Sequence, residues 1–481
     1  MRYLIVAKVL SFLLAFLGIA ILTTVPFSFY YNDGDLMGII QSVIICLIIG
    51  GSGILFIPKI NRDIRPKEGF AIVTFGWVLF ATFGSLPFIL GGATNSFTDA
   101  FFETMSGITT TGGTIFKDVE TIPHGVLFWR SMTHWLGGMG IIVLTIAILP
   151  FLGVGGMQLF KAEVPGPVID KLSPRIAGTA KILWGVYVFF TIIQTILLML
   201  GGMNLFDSLC HAFGTMATGG FSTKNLSIAY YKSEYIDYVI TVFMIIAGTN
   251  FSLLYWLLKG KFKNLFTNGE FLFYLSIIGF ATLLIGLDIF FNQNGNLFES
   301  IRFSIFQVAS IITTTGFVTA DYEQWSAASQ LILFALMFIG GSAGSTGGGF
   351  KVIRLIIIIK FIYNELIRLI HPQAIIFVKF RNLSVDSKVL VNVAGFFMIY
   401  VLIAAVSTLI ISFFDIDILT SLGAVAATLN NVGPGLGEVG PIDNFSKLPD
   451  IVKWILSFLM MLGRLEIYTV VIMFTPHFWK K

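Results

Sequence analysis

Residues 109–112 read Thr109-Thr110-Thr111-Gly112, preceded by a short apolar segment, Phe97–Ile108, and followed by a long hydrophobic run, residues 126–149. The same order of parts returns three times. Leu205–Met216 leads into Ala217-Thr218-Gly219-Gly220, and residues 298–312 lead into Thr313-Thr314-Thr315-Gly316. The loosest copy runs from Ile418–Leu429 into Asn430-Asn431-Val432-Gly433-Pro434. A short helix, a small-residue turn ending in Gly and a membrane-length helix, repeated at roughly 100-residue spacing, predict one pore with fourfold pseudosymmetry. Each copy then supplies a quarter of a ring of backbone carbonyls able to replace an ion's water.

Working outward, the composition fixes the class. Hydrophobic residues make up 56% of the 481, charged residues 12%, and mean hydropathy is +0.89. That excludes a soluble chain and predicts an all-α polytopic membrane protein of about ten spans, at roughly 20 residues per crossing. The first apolar run, residues 4–27, is too long for a signal-peptide core and is expected to be retained as a helix. Cys46 and Cys210 read as small buried hydrophobes, not as a disulfide or a metal site.

Two spans, residues 4–27 and 36–57, precede any turn and form an N-terminal two-helix extension over 1–68. The pore repeats then occupy 69–175, 176–265, 266–387 and 388–481, the third holding a Gly-rich interruption. Every second link is basic, with Lys59, Arg62, Arg65 and Lys67 in one and Lys161, Lys171, Arg175 and Lys181 in the next. Lys259, Lys261 and Lys263 follow, then Arg368, Lys379, Arg381 and Lys388, and Lys480 and Lys481 close the chain. Basic links face the cytoplasm, so both termini are expected inside. The opposite loops are acidic, from Asp33 and Asp35 through Glu103, Asp321 and Glu323 to Asp443 and Asp450, which predicts a cation-attracting vestibule. Asp99 and Asp207 are expected to cap pore helices.

A filter of carbonyls needs backbone angles that ordinary residues resist, and Gly adopts positive φ without steric cost. Each pore helix ends at its turn, so its partial negative charge points at the ion. The predicted potassium-binding residues are Thr110, Thr111 and Gly112; Ala217, Thr218 and Gly219; Thr314, Thr315 and Gly316; and Asn431, Val432 and Gly433. Tight packing of helices through small residues would also use such turns, but not four times in the same order.

The chain resembles the TrkH/KtrB superfamily of potassium transporters, closest to its TrkH branch. The resembling residues include Trp129-Arg130, Trp135-Leu136-Gly137-Gly138-Met139-Gly140, the run from Ile339 through Gly349, Thr428 through Gly435, and Gly463-Arg464-Leu465-Glu466. The resemblance covers essentially the whole chain. It implies four helix–pore-helix–helix repeats, a homodimer in the bacterial cytoplasmic membrane, and channel-like potassium uptake. It further implies a cytosolic TrkA-like regulatory subunit, through which a nucleotide, NAD(H) or ATP/ADP, would act; no cofactor is expected on the chain itself. Glycine in all four turns, at 112, 219, 316 and 433, goes in this family with potassium over sodium. Ala217, where repeats one and three have Thr, removes a hydroxyl but keeps the carbonyl. A sodium- or proton-coupled symporter of the same architecture stays open. An intramembrane enzyme would need a nucleophile with a base, or paired aspartates, within the spans, and no such set is present; Asp288 and Glu466 belong to different repeats.

Below the third turn lie Gly340, Gly341, Gly344, Ser345, Thr346, Gly347, Gly348 and Gly349. Each glycine inside a helix costs about 1 kcal/mol relative to Ala, so six in this run predict a broken helix whose loop lines the cavity. In repeat four Arg464 sits mid-span beside Glu466, which points to another face of the helix and is a poor partner. Arg464 is therefore expected to turn to the pore, bond the loop carbonyls and form a gate with the loop. The Gly-rich run is not a phosphate loop, since Gly349-Phe350-Lys351 replaces Gly-Lys-Ser/Thr. His134 and His211 are expected to hydrogen-bond locally and not to bind metal.

Overall fold

The computed structural model describes residues 2–58, 64–140, 176–292, 296–373, 377–380 and 383–480. The second half of the first outbound span, residues 141–149, lies outside the described residues, as do Lys59, Arg62, Lys161, Lys171, Arg175, Arg381 and Lys481. The described chain is almost entirely helical; one two-stranded antiparallel ribbon pairs Lys379 with Ser384 and Phe380 with Leu383.

Among the described residues, six helical spans are long and apolar enough to cross a membrane without a sharp bend. Two belong to the extension, Tyr3–Tyr31 and Leu36–Phe56, and four are the inbound helices Pro66–Leu90, Gly178–Leu200, Gly269–Asn292 and Ser387–Ser412. The extension packs through small residues: a Cβ on Gly50 would meet the backbone of Ala15, the close approach that glycine permits between membrane helices. Arg2 holds the buried Glu68 with two parallel bonds of 2.8 Å, fastening the N-terminus to the first turn of the inbound helix that begins at Pro66.

The outbound helices are less regular than their sequence suggests. In repeat two, Glu234–Ala247 and Phe251–Leu258 are bent by 108°. In repeat four, Asp450–Arg464 and Ile467–Phe474 are bent by 115°. With these bent pairs the spans number eight among the described residues. The third outbound helix, Ala327–Met337, stops before the Gly-rich run, and a helix resumes at Val352–Ile370, so the predicted break is real. The two bends were not anticipated. Gly248 at the first gives its carbonyl to Ser342 N–H at 2.9 Å, and Asn250 caps the following helix. At the second, Glu466 adopts φ 57°. The first kink thus exchanges an intrahelical bond for a tertiary one.

Between inbound and outbound helices sit four short helices, Phe97–Ile108, Leu205–Met216, Leu297–Ile312 and Ile418–Leu429. Their N-caps are Ser96, Asn204, Asn296 and Asp417, each accepting a backbone N–H from the first turn. Asp99 and Asp207, expected from sequence to be caps, are not; they lie inside the first turn, where an acid still interacts favourably with the helix dipole.

Candidate functional site

The four short helices end in one and the same turn. Thr110 N–H bonds Gly107 O at 3.0 Å and Thr111 N–H bonds Ser106 O at 2.8 Å. The pattern repeats as Thr218 to Thr215 and Gly219 to Gly214, Thr314 to Ile311 and Thr315 to Ser310, and Asn431 to Thr428 and Val432 to Ala427. This paired closure leaves the residue after the helix left-handed, a position usually given to Gly. Here Thr110, Thr218, Thr314 and Asn431 hold it, at φ 54°, 55°, 59° and 55°. A β-branched residue at positive φ is strained, and strain of that kind gathers at functional sites.

Two residues later φ is positive again, at Gly112, Gly220, Gly316 and Gly433. Left-handed residues at alternate positions turn successive carbonyls toward the same side. The sequence reading took Gly219 as the terminal glycine of the second turn; the backbone assigns that place to Gly220. Counted from the helix end, Ala217 matches Thr109, Thr313 and Asn430 as the C-cap, and Gly219 matches Thr111, Thr315 and Val432. In repeat two the shared Thr-Gly letters are offset from this register by one residue. Counting from the last helical residue would have found it.

The turns close into a ring. A Cβ on Gly112 would run into the carbonyl oxygen of Gly219, one on Gly220 into that of Thr315, one on Gly316 into that of Val432, and one on Gly433 into that of Thr111. Each repeat is thus wedged against the next in cyclic order, and the fourth closes on the first. A cavity of about 220 Å³ opens onto all four terminal glycines.

The charge lining that cavity differs from the acidic vestibule expected. Its charged residues are Lys117, Arg130, Lys224 and Asp443. Many of the acids are employed elsewhere. Glu103 is fully buried and takes Arg130 Nε at 2.6 Å, Ile115 N–H at 2.9 Å and the Thr114 hydroxyl at 2.9 Å. Asp35 is also buried, bonded to Ser28 and to Val126 N–H. Glu323 accepts Gly437 N–H at 2.7 Å; burial, with Asp321 and Asp443 nearby, raises its pKa above the usual carboxylate value. Burying an acid is tolerable only when such donors replace its water. The Glu103–Arg130 pair had no spacing signal in the sequence, since its members sit on different helices.

On the other side of the ring lies the Gly-rich loop. Ile339 and Phe350 form a parallel bridge at its neck. Gly348 N–H donates to Thr314 Oγ1 at 2.7 Å, directly on the third turn. The Thr346 hydroxyl lies 3.0 Å from Met216 O and 3.2 Å from Ala247 O, in repeat two. Gly248 O accepts Ser342 N–H at 2.9 Å, the loop's own Gly344 O accepts Phe251 N–H at 3.0 Å, and the buried Glu270 takes Ala343 N–H at 2.7 Å. Gly347 and Gly348 have no room for side chains against Thr313 O and Asn430 O. Lys351 closes the loop with bonds to Gly347 O and Ser345. All eight predicted loop residues, Gly340 to Gly349, are therefore gathered beneath the ring.

Arg464 joins them. Its guanidinium donates to Thr346 O at 2.6 Å and to Gly137 O and Gly138 O at 2.7 and 2.9 Å. Glu466 turns away and pairs with Arg354, whose guanidinium also stacks 4.2 Å over Phe396. Asp288, the other acid noted within a span, accepts the hydroxyls of Ser326 and Ser329. Cys46 and Cys210 are free and buried. No cluster of three or more His, Cys, Asp or Glu suited to a metal ion occurs among the described residues, and both His134 and His211 are engaged in local hydrogen bonds.

A family model described as a cation transport protein, TrkH, matches residues 35–286 and 294–481. The chain belongs to the TrkH family. Among TrkH-family relatives it is 42% identical over 457 residues to the Trk system potassium uptake protein TrkH of Escherichia coli K12, covering 94% of each chain. It is 39% identical over 482 residues to the protein of the same name from Halomonas elongata, covering 99% of each. The crystal structure of the potassium transporter TrkH from Vibrio parahaemolyticus matches with a TM-score of 0.90 at 36% identity over the whole of both chains. This TrkH-family fold is the membrane architecture of four helix–pore-helix–helix repeats with a two-helix extension expected from the sequence.

Proposed function

We propose that this chain takes up potassium across the cytoplasmic membrane, with Thr110–Gly112, Thr218–Gly220, Thr314–Gly316 and Asn431–Gly433 as its selectivity filter. One observation carries the reading: the cyclic order in which each terminal glycine meets the preceding carbonyl of the next repeat. Such a ring offers oxygens from four directions, with the negative ends of four helix dipoles aimed at it, and suits a dehydrated monovalent cation. The names of the relatives, Trk system potassium uptake proteins, support potassium as that cation.

The loop 340–349 and Arg464 are the gate in this reading. A guanidinium and a plug of backbone beneath the ring oppose cation passage electrostatically and sterically. A cytosolic nucleotide-binding subunit displaces them, and the active unit is a homodimer with both termini in the cytoplasm. Permeation is channel-like, without obligatory symport of sodium or protons.

The test is potassium uptake and survival at very low potassium in cells lacking their own uptake systems. The chain should restore growth, Gly112→Ser should lower potassium preference over sodium, and uptake should not require sodium. Restored growth that depends strictly on external sodium would replace the channel reading with a symporter.

A further inference from the structure

The second turn has lost the supports that hold the first and third. In repeat one the Ser106 hydroxyl donates to Gly113 O at 2.6 Å, and the hydroxyls of Thr109 and Thr111 bridge at 2.8 Å. In repeat three Ser310 donates to Phe317 O at 2.7 Å, and Thr313 and Thr315 bridge at 2.7 Å. The matching residues of repeat two are Gly214, Ala217 and Gly219, which have no hydroxyl among them. A Cβ on Gly214 would lie 3.1 Å from Phe221 O, the carbonyl that a serine would bond.

Something else fills the space. His134, on the outbound helix of repeat one, lies behind the second turn, and a Cβ on Gly219 would sit 2.5–2.6 Å from its ring atoms. His134 is fully buried. Its Nδ1 is 2.7 Å from Gly107 O, and Phe221 N–H donates to its Nε2 at 3.2 Å. A carbonyl on one nitrogen and an N–H on the other fix a neutral ring, with the proton on Nδ1. One helical turn earlier, Arg130 donates to Ser222 O at 2.9 Å. The ring of Phe221 is held between them, 3.5 Å from the guanidinium and 4.0 Å from the imidazole.

We infer that His134, assisted by Arg130, is the positioning residue of the second filter strand, supplying from repeat one the support that Ser and Thr hydroxyls give the first and third strands from within. Gly219 is glycine because the imidazole occupies the volume a side chain would need. His134 touches no permeating ion. It acts through the backbone of Phe221 and the shape of Gly219, so that the carbonyl of Gly219 keeps its place in the ring. The inference rests on the filter reading above.

The test is a transplant. In proteoliposomes containing the full chain, potassium and sodium fluxes are compared for His134→Ala and for His134→Ala combined with Ala217→Ser and Gly219→Ser. His134→Ala should lower the potassium-to-sodium ratio roughly tenfold, the scale of one lost buried hydrogen bond, while total cation flux persists. The added serines, placed to bridge as Thr109 and Thr111 do, should restore the ratio to near wild type. The same serines introduced with His134 present should be harmful, because the ring already fills the site. A ratio unchanged in His134→Ala, or not restored by the serines, overturns the inference. Should His134→Ala fail to assemble, the triple variant decides: assembled and selective supports it, and unassembled or unselective overturns it. Gly220→Ser is run in parallel. If it shifts selectivity and His134→Ala does not, only this inference falls; if neither does, the filter reading falls with it.

Discussion

Arg464 and Thr346 lie 118 residues apart and meet through a 2.6 Å hydrogen bond from the guanidinium to the loop carbonyl. The same guanidinium reaches Gly137 and Gly138 in repeat one. One side chain of repeat four therefore fastens the loop of repeat three to the helix end of repeat one. The loop's own contacts add repeat two, through Met216, Ala247 and Gly248.

Arg464→Ala should release this fastening. A hydrogen bond to a charged group contributes about 1.5–3 kcal/mol, so losing even one shifts a closed–open balance roughly ten- to a hundredfold. Potassium flux in proteoliposomes without any cytosolic partner should rise, with the potassium-to-sodium ratio unchanged. Arg464→Lys keeps the charge but not the fork of donors, and should be intermediate. Flux at the wild-type level in both variants, with normal insertion, would place the barrier elsewhere.

Gly112→Ser and Gly220→Ser should damage selectivity equally, because both residues hold positive φ and both face a neighbouring carbonyl. Thr111→Ala should do less, since it keeps the carbonyl and loses only the bridge to Thr109 and the bond from Asn431 Nδ2. The measurement is the reversal potential in mixed potassium and sodium. A selective Gly220→Ser channel would remove the second turn from the filter.

Glu103→Gln should cost stability out of proportion to its size. It leaves the Arg130 guanidinium buried opposite a neutral amide, and breaking a buried pair from one side costs about 3–5 kcal/mol. Thermal unfolding in detergent should fall by several degrees, and potassium preference should weaken, because Arg130 also holds Ser222 beside the second turn. Glu365→Gln, on an exposed pair with Arg368, should change either quantity far less.

Orientation is tested by a single cysteine at Leu226, which is 58% exposed beside the cavity that opens onto the ring. It is a better site than its neighbour Asn225, whose side chain bonds Val119 N–H and Asp118. An impermeant thiol reagent added outside intact cells should label Leu226→Cys, while Cys46 and Cys210, both buried, stay unreacted. Labelling only after the cytoplasmic face is opened would invert the topology.

The sequence by itself determined the membrane class, the four repeats, the break in the third outbound helix and the turn of Arg464 toward the loop. Each rests on a local property: the length of an apolar run, the conformational freedom of glycine, or the cost of a charge in a span. Tertiary structure alone decided the register of the second turn, the bends at Gly248–Asn250 and Glu466, and the burial of Glu103 against Arg130. It also decided what replaces the missing hydroxyls of repeat two. These depend on which side chain of another repeat fills a given space. Gly219 looks like any turn glycine until the ring of His134, 85 residues earlier in the chain, is found in the volume its side chain would need.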